Sequence, residues 1–440
     1  MKKLLAQVWL LLLSISILMV SRGLGSAFIG VRAELEDFSI SWIGLIQGAT
    51  YIGFLISSWY VPRILKNVGH IRVFATCASI TSIAPLFQLM FISPYAWVVM
   101  QIIFGIGIAG SYIVIEGWLN EASDNENRGK IFGLYSLLGT AVSSAAPLLI
   151  GPISAEGIIL FLIISITSSI AFVPVALGAK WTPTYDDIEP MKFSTLYKRT
   201  PFGVTSFNLS LVVSNTLFMM FIVYAIKAGF EVSLGTKSFL FMGILSIFTT
   251  YTLGAISDKM DRRYVIIFTS LMSSIFVYLM FIGANNFDET LFFIGGVGLG
   301  GFSYALYPLI VSHINDRLNK TEIVSASSWI VLLSSVTGII GTISIGPIIE
   351  VFGINSFPYL MMAFLLTNCV YGIYRLFKRE AVQTEEQVDF VGVTSLGTSV
   401  MEQEIFATQE IVKKAKKKKK NKNKKKKKLK AAKKRSVKKR

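Results

Sequence analysis

The chain is a succession of long apolar runs separated by short charged intervals. Reading from break to break, runs of about the length a bilayer crossing requires fall at residues 4–30, 43–62, 73–93, 95–118, 130–152 and 157–179. After a polar interval of roughly twenty residues a second set follows, at 201–226, 238–257, 264–284, 291–312, 323–349 and 351–377. Turn residues divide the longest stretches at Ser93-Pro94 and at Gly353-Ile354-Asn355. In lipid a lone strand cannot satisfy its own backbone, so the runs predict helices. Buried helices of a large soluble protein would carry charged faces, and these runs have none. The prediction is an all-α membrane protein of twelve transmembrane helices in two six-helix bundles. The first bundle takes residues 1–180, a central loop 181–200, the second bundle 201–378, and a linker 379–412. Met1-Lys2-Lys3 followed by an apolar run also resembles a signal peptide. The run continues to Gly30 without a clean small-x-small cleavage site, which favours a first spanning helix.

Composition sharpens this picture. Of the 440 residues, 53% are hydrophobic and 16% charged, against about a quarter charged in a soluble domain. The net charge of +17 suggests a nucleic-acid partner until its placement is considered. Twenty of the 43 Lys and Arg lie in residues 413–440, which contain no acid, leaving 23 basic against 26 acidic residues in 1–412. That tail cannot bury a core and is expected to be disordered. On a cytoplasmic face it would meet anionic lipid. Nonspecific RNA contact is the rival reading. Without interleaved aromatics, no specific nucleic-acid recognition is expected. Lys and Arg also set the orientation, because 19 fall on the side of the N-terminus and three (Arg32, Lys227, Lys237) on the other. The positive-inside bias places both termini in the cytoplasm. Cys77 and Cys369 make neither a disulfide framework nor a metal cluster. No cofactor or metal is expected.

Apart from Lys130 and Arg375 at span edges, counted with the cytoplasmic ends, the full charges within the spans are Arg22 and Glu116, and an intramembrane charge usually faces a protein interior or water. Arg22 reads as a cationic anchor for an anionic solute, or as a side chain reaching outward to Glu34 or Asp37. It is expected past the midpoint of the first helix. Glu116 is expected near the opposite face, 15–20 Å away in depth by helical rise, with Arg63, Arg72 or Arg128 as partner. A proton-carrying Glu116 is the alternative. Asn208, Ser214, Asn215, Tyr304 and Tyr307 are candidate polar lining residues. Gly295, Gly296, Gly298, Gly300 and Gly301 suggest close helix packing rather than a nucleotide loop. No G-x-x-x-x-G-K-[ST] occurs, so the chain carries no ATPase of its own. No His/Asp/Glu constellation within the spans suggests an enzyme.

The two halves echo each other. Gly254-Ala-Ile-Ser-Asp258-Lys-Met-Asp261-Arg262-Arg263 follows the eighth helix, and Pro62-Arg63-Ile-Leu-Lys66-Asn-Val-Gly69-His70-Ile-Arg72 follows the second. Aligning Gly69 with Asp261 carries helix 1 onto helix 7, an organisation found in many secondary transporters. The first of these loops resembles the G-x-x-x-D-[RK]-x-G-[RK]-[RK] signature of the major facilitator superfamily, with Asp261 where glycine is usual. The other is degenerate and lacks the aspartate. Residues 31–39, 63–72 and 116–130, the last holding Glu116-Gly-Trp118-Leu119-Asn120 and Arg128-Gly129-Lys130, are similar to the YcaD-type bacterial branch. The resemblance covers about residues 1–378. It implies a monomeric secondary transporter that moves a small solute by alternating access. It also implies cytoplasmic gates built from Arg63, Gly69, Arg72, Glu116, Asn120 and Arg128 in one half, and Gly254, Asp258, Arg262 and Arg263 in the other. The second gate would work against His313, Asp316 and Arg317. Gln101 stands where many relatives have an arginine associated with proton coupling, so it is at most a substrate hydrogen-bonder and proton antiport is weakened. A transport-inactive sensor or receptor, and a lipid scramblase, are the alternative functions.

Overall fold

In the computed structural model, residues 2–123, 127–178, 191–380, 382, 387 and 390 are described. The first bundle comprises α1 (Lys2–Leu35), α2 (Ile40–Val68), α3 (His70–Met90), α4 (Pro94–Glu121), α5 (Arg128–Ala145), α6 (Ile159–Ile170) and α7 (Phe172–Gly178). A 3-10 turn, Ala146–Leu149, extends α5. A short helix, α8 (Phe193–Arg199), lies in the interval expected to be a plain loop. The second bundle comprises α9 (Pro201–Lys227), α10 (Val232–Ser257), α11 (Arg262–Asn286), α12 (Glu289–Asn315), α13 (Lys320–Phe352) and α14 (Ser356–Lys378). Twelve crossings among the described residues are long and apolar enough to span a bilayer, with α6 and α7 together making the sixth. Exposed apolar side chains such as Ile166, Ile170, Val173 and Leu177 on that crossing fit a lipid solvent rather than water. The linker beyond residue 390 and the Lys-rich tail lie outside the described residues.

Several helices outrun their apolar stretches. α1 continues through Arg32 to Leu35 and α2 through Arg63 and Lys66 to Val68, because charged residues at a membrane edge keep helical backbone bonds while their heads reach water. The sixth crossing, expected as one helix, is interrupted at Ala171. Pro174 lacks the N–H that would bond back toward the preceding turn, and the Ser14 hydroxyl of α1 donates to the buried Ala171 carbonyl at 2.5 Å. Two turns further along α1, Ser21 and Ser168 share a 2.6 Å hydroxyl bond.

Glycine sets the closest helix approaches. A Cβ on Gly105 of α4 would collide with the Thr50 carbonyl of α2, and one on Gly53 of α2 with the Ile102 carbonyl of α4. Both obstacles are backbone and cannot swing away. Gly105→Val is therefore expected to cost about 1–3 kcal/mol or more, seen as a lower thermal unfolding midpoint in detergent. The glycines of α12 play the expected part, since Gly295 abuts Met280 of α11 and Gly300 abuts Met242 of α10.

The two bundles meet most closely on one side of the molecule, the far end, opposite the end where α1 begins and α14 finishes. There Gly346 of α13 rests on the backbone of Ile40 and Ser41 in α2, and Gly44 faces Thr342 and Gly346. Ser41 hydrogen-bonds Glu350. Gln47 of α2, 1% exposed, donates to the carbonyls of Ser26 in α1 (2.7 Å) and Met219 in α9 (3.0 Å). Lys227 of α9 pairs with Glu34 of α1 at 2.6 Å.

Candidate functional site

Between the bundles lies a cavity of about 730 Å³, partly open to solvent. Its wall draws Arg22 from α1, Tyr51 from α2 and Ser136, Thr140, Ser143 and Ser144 from α5. The second bundle adds Ser214, Asn215 and Phe218 of α9, Ser246, Thr250 and Tyr251 of α10, and Tyr304 of α12. It lies on the near side of the far-end seam. Toward the end where α1 begins and α14 finishes, the two bundles are bridged by a 3.4 Å bond from the Tyr251 hydroxyl to the Gly133 carbonyl.

Arg22 is the charged group of this wall. Its guanidinium is 6% exposed, donates to the Tyr112 hydroxyl at 3.3 Å, and stands 5.5, 5.7 and 5.0 Å from the rings of Phe54, Tyr112 and Phe218. Aromatic faces hold a cation in place without neutralising it. The reading in which Arg22 reaches outward to Glu34 or Asp37 is corrected. Glu34 is held by Lys227, and Arg22 turns instead to Tyr112 and the rings around it. The expected separation of Arg22 and Glu116 is corrected with it. Tyr112 meets Arg22 and precedes Glu116 by four residues on α4, a rise of about 6 Å. Glu116, 1% exposed, accepts from the Tyr135 hydroxyl of α5 at 2.9 Å. Ser136, next to Tyr135, faces the cavity.

Of the other expected lining residues, Ser214, Asn215 and Tyr304 reach the wall, and Asn215 Nδ2, the Tyr304 hydroxyl and the Thr140 hydroxyl are buried with no hydrogen-bond partner. Three lie behind it. Gln101 accepts from Thr50 at 2.9 Å between α4 and α2. Asn208 donates to the Val204 carbonyl and accepts from Thr337, both at 2.8 Å, tying α9 to α13. Tyr307 packs on Phe207 with ring centroids 5.7 Å apart. A helix has one cavity-facing stripe, and these residues sit on the wrong arc of theirs. The hydroxyls of α5 were passed over, although Ser136, Thr140, Ser143 and Ser144 recur at helical spacing in the sequence. Gln47 was missed as well.

The loop residues divide by bundle. In the second, Arg262 is fully buried and bonds Asp316 of α12 (2.8 Å), Asp258 (2.8 Å) and the Ser257 hydroxyl (2.5 Å). Asp261 caps α11 through the Arg263 N–H and grips the Arg263 side chain at 2.6 Å. Arg263 also donates to the carbonyls of Arg375 and Arg379. The linker folds back here, the Phe390 ring lying against Gly254 and its N–H donating to the Asp258 carboxylate at 3.0 Å. This cluster joins α10, α11, α12 and α14 within one bundle. In the first bundle Gly69 breaks α2 from α3 at φ +86°, a conformation that suits glycine. Arg63 turns onto the carbonyl and ring of Trp59, so it is not turned toward Glu116. Arg72 is exposed on α3, and Asn120 lies in the last turn of α4. The Arg128 side chain lies outside the described residues.

Comparison with known proteins agrees with this architecture. The family model described as Major Facilitator Superfamily matches residues 7–250 and 205–436. The chain is similar to the uncharacterized MFS-type transporter YfkF of Bacillus subtilis, 23% identical over 367 residues, covering 82% of this chain and 91% of that one. It is 20% identical over 377 residues to the uncharacterized MFS-type transporter YcaD of Escherichia coli, covering 82% and 95%. A crystal structure of a mutant nucleoside transporter NupG superposes with a TM-score of 0.66 at 15% identity, over 83% of this chain and all of that one. The E. coli fucose:proton symporter FucP gives 0.55 at 13% identity, over 84% and 99%. Relatives and neighbours alike are transporters and not enzymes. With its twelve crossings in two bundles about a shared cavity, the chain belongs to the Major Facilitator Superfamily as a multi-pass membrane protein of the secondary-transporter type.

Proposed function

We propose that this protein carries a small organic anion across a bacterial inner membrane by alternating access, with Arg22 as the anchor. The observation that carries the reading is the Arg22 guanidinium in a wall shared by both bundles, surrounded by rings and hydroxyls. A guanidinium forks onto carboxylate or phosphate, and the unpartnered Asn215, Thr140 and Tyr304 groups offer bonds to hydroxyls or carbonyls of the same solute. Lys/Arg bias puts the two termini in the cytoplasm, and the far-end seam then lies outside, so the conformation described is inward-facing. The buried Arg262 cluster and the first-bundle loop are read as the cytoplasmic gate elements, and the Lys-rich tail as a contact to anionic lipid. Proton coupling has no group in the cavity wall to support it, since Glu116 is engaged with Tyr135 behind the wall.

The test is a solute-library thermal-shift screen on the purified chain, followed by counterflow in proteoliposomes. Anionic solutes are expected to stabilise the protein, and Arg22→Gln to weaken that binding by about tenfold or more, the loss of a charge-assisted bond. Hits confined to neutral or cationic solutes, indifferent to Arg22→Gln, would refute the anchor. Saturable binding without counterflow would make the protein a receptor rather than a carrier.

A further inference from the structure

A second cationic pocket lies away from the central cavity, at the end where α1 begins and α14 finishes. It is a narrow recess, about 190 Å³ counted together with the solvent open to it, and its lining includes Thr200, Arg263, His313, Arg317, Arg375 and Arg379. The helix α9 opens into it, with Thr200 as N-cap and Pro201 as first residue. Pro201 has no N–H, and those of Phe202 and Gly203, in the first turn of this 27-residue helix, carry partial positive charge and have no partner within it. Thr200 is 1% exposed, and its hydroxyl has no hydrogen-bond partner. An N-cap threonine normally accepts from its own helix; this one makes no such bond.

The charge balance is lopsided. Asp258 and Asp316 are spent on Arg262, and Asp261 on Arg263. Among the described residues none of Arg317, Arg375 and Arg379 forms an ion pair. Arg317 and Arg379 spend donors on main-chain carbonyls, Arg317 on Glu380 and Arg379 on Arg199. Burial, then the neighbouring guanidinia of Arg379 and Arg263, push Arg317 down to about 10. An arginine loses its charge so reluctantly that such crowding is relieved by a counter-anion, not by deprotonation. The level in the membrane matches. Tyr264, next in sequence to Arg263, and Tyr374 and Phe377, on either side of Arg375, are all exposed, as aromatic side chains at the headgroup level of a bilayer are.

The geometry points to a phosphate-binding site in this pocket, held by Arg317, Arg375 and the N-terminus of α9 with the Thr200 hydroxyl. Arginine forks and a helix N-terminus are both suited to a tetrahedral oxyanion. The phosphate comes either from an anionic lipid headgroup entering from the bilayer or from a free phosphate entering from water. The reading is independent of what the central cavity carries.

The experiment uses the purified full chain, stripped of lipid in a non-ionic detergent. Thermal midpoints are recorded against phosphatidylglycerol, against diacylglycerol with the same acyl chains, and against inorganic phosphate at fixed ionic strength. The three titrations are repeated in Arg375→Gln and in Arg317→Gln. The Lys-rich tail is common to all the proteins, so its own attraction for anions cancels in the comparison. Saturable stabilisation by phosphatidylglycerol and not by diacylglycerol is expected, with apparent affinity about tenfold weaker or more in each variant. Stabilisation by inorganic phosphate, weakened to the same degree, supports the site with a free anion as its occupant. Should one variant fail to fold, the other decides. Should both fail, native mass spectrometry of the unaltered chain decides, since phosphatidylglycerol retained no better than diacylglycerol, and no adduct with phosphate, would overturn the proposal. Equal response to the two lipids with none to phosphate, or responses that neither substitution changes, would overturn it too.

Discussion

Arg262→Met is expected to destabilise the protein by about 3–5 kcal/mol, the usual consequence of removing one partner of a buried ion pair. The effect follows from what is left behind. Asp316, with a side chain 2% exposed, would keep a carboxylate beside an apolar side chain in a site that water does not reach. Asp258, 34% exposed, keeps access to solvent and to the Phe390 N–H, so the penalty concentrates on Asp316. The double variant Arg262→Met, Asp316→Leu removes the stranded charge along with its partner, and most of the loss should return. Thermal unfolding in detergent, read for the wild type, the single and the double variant, decides the matter. If the double variant is no more stable than the single one, the stranded Asp316 is not the source of the loss.

Gly346→Ile is expected to open the far end. A Cβ at Gly346 would stand 2.5 Å from the Ile40 carbonyl oxygen and 2.8 Å from Ser41 Cα, with a third backbone atom 3.1 Å away. Because the obstacle is main chain, relief requires α13 and α2 to separate. Overpacking of this kind costs about 1–3 kcal/mol or more, and only in the closed arrangement. A cost of that size moves a balanced two-state equilibrium by about tenfold or more. The readout is a cysteine at Ser41, which hydrogen-bonds Glu350 at the seam, labelled in membranes by an impermeant maleimide. The native Cys77 and Cys369 are buried, which keeps the background low. Labelling about tenfold faster or more with Gly346→Ile present is the expected result, and equal rates would mean that the seam does not set which end is open.

How much of this was legible beforehand differs by level. All twelve crossings could be located from charge-free runs, because lipid forces backbone bonding within each segment and leaves little freedom. Helix ends were less legible, since Arg32, Arg63 and Lys66 look like loop residues in sequence yet continue the helix. The Asp258–Arg262 pair could be foreseen because its residues stand four apart at signature spacing, and Asp316 joins them from the expected end of α12, 54 residues on. The cavity was half legible. Arg22, Asn215 and Tyr304 stand out as polar atoms in apolar runs, and they do face it. Gln101, Asn208 and Tyr307 stand out equally and do not, because which arc of a helix faces the passage depends on its rotation in the bundle. Gln47 and the α5 serines escaped for the opposite reason. Their parts come from which helix is opposite them, a relation that only the assembled bundle contains.

The Ser21–Ser168 bond gives the solute anchor an unexpected neighbour. Ser21 precedes Arg22 on α1, and Ser168 belongs to a crossing whose outer side, with Ile166 and Ile170, meets acyl chains. On the proposed reading of Arg22 as anchor, a solute that displaces the guanidinium would pull, through two hydroxyls, on the outer wall of the protein. Linkage runs both ways, so the thickness and lateral pressure of the surrounding bilayer would then bear on how tightly the passage holds its cargo.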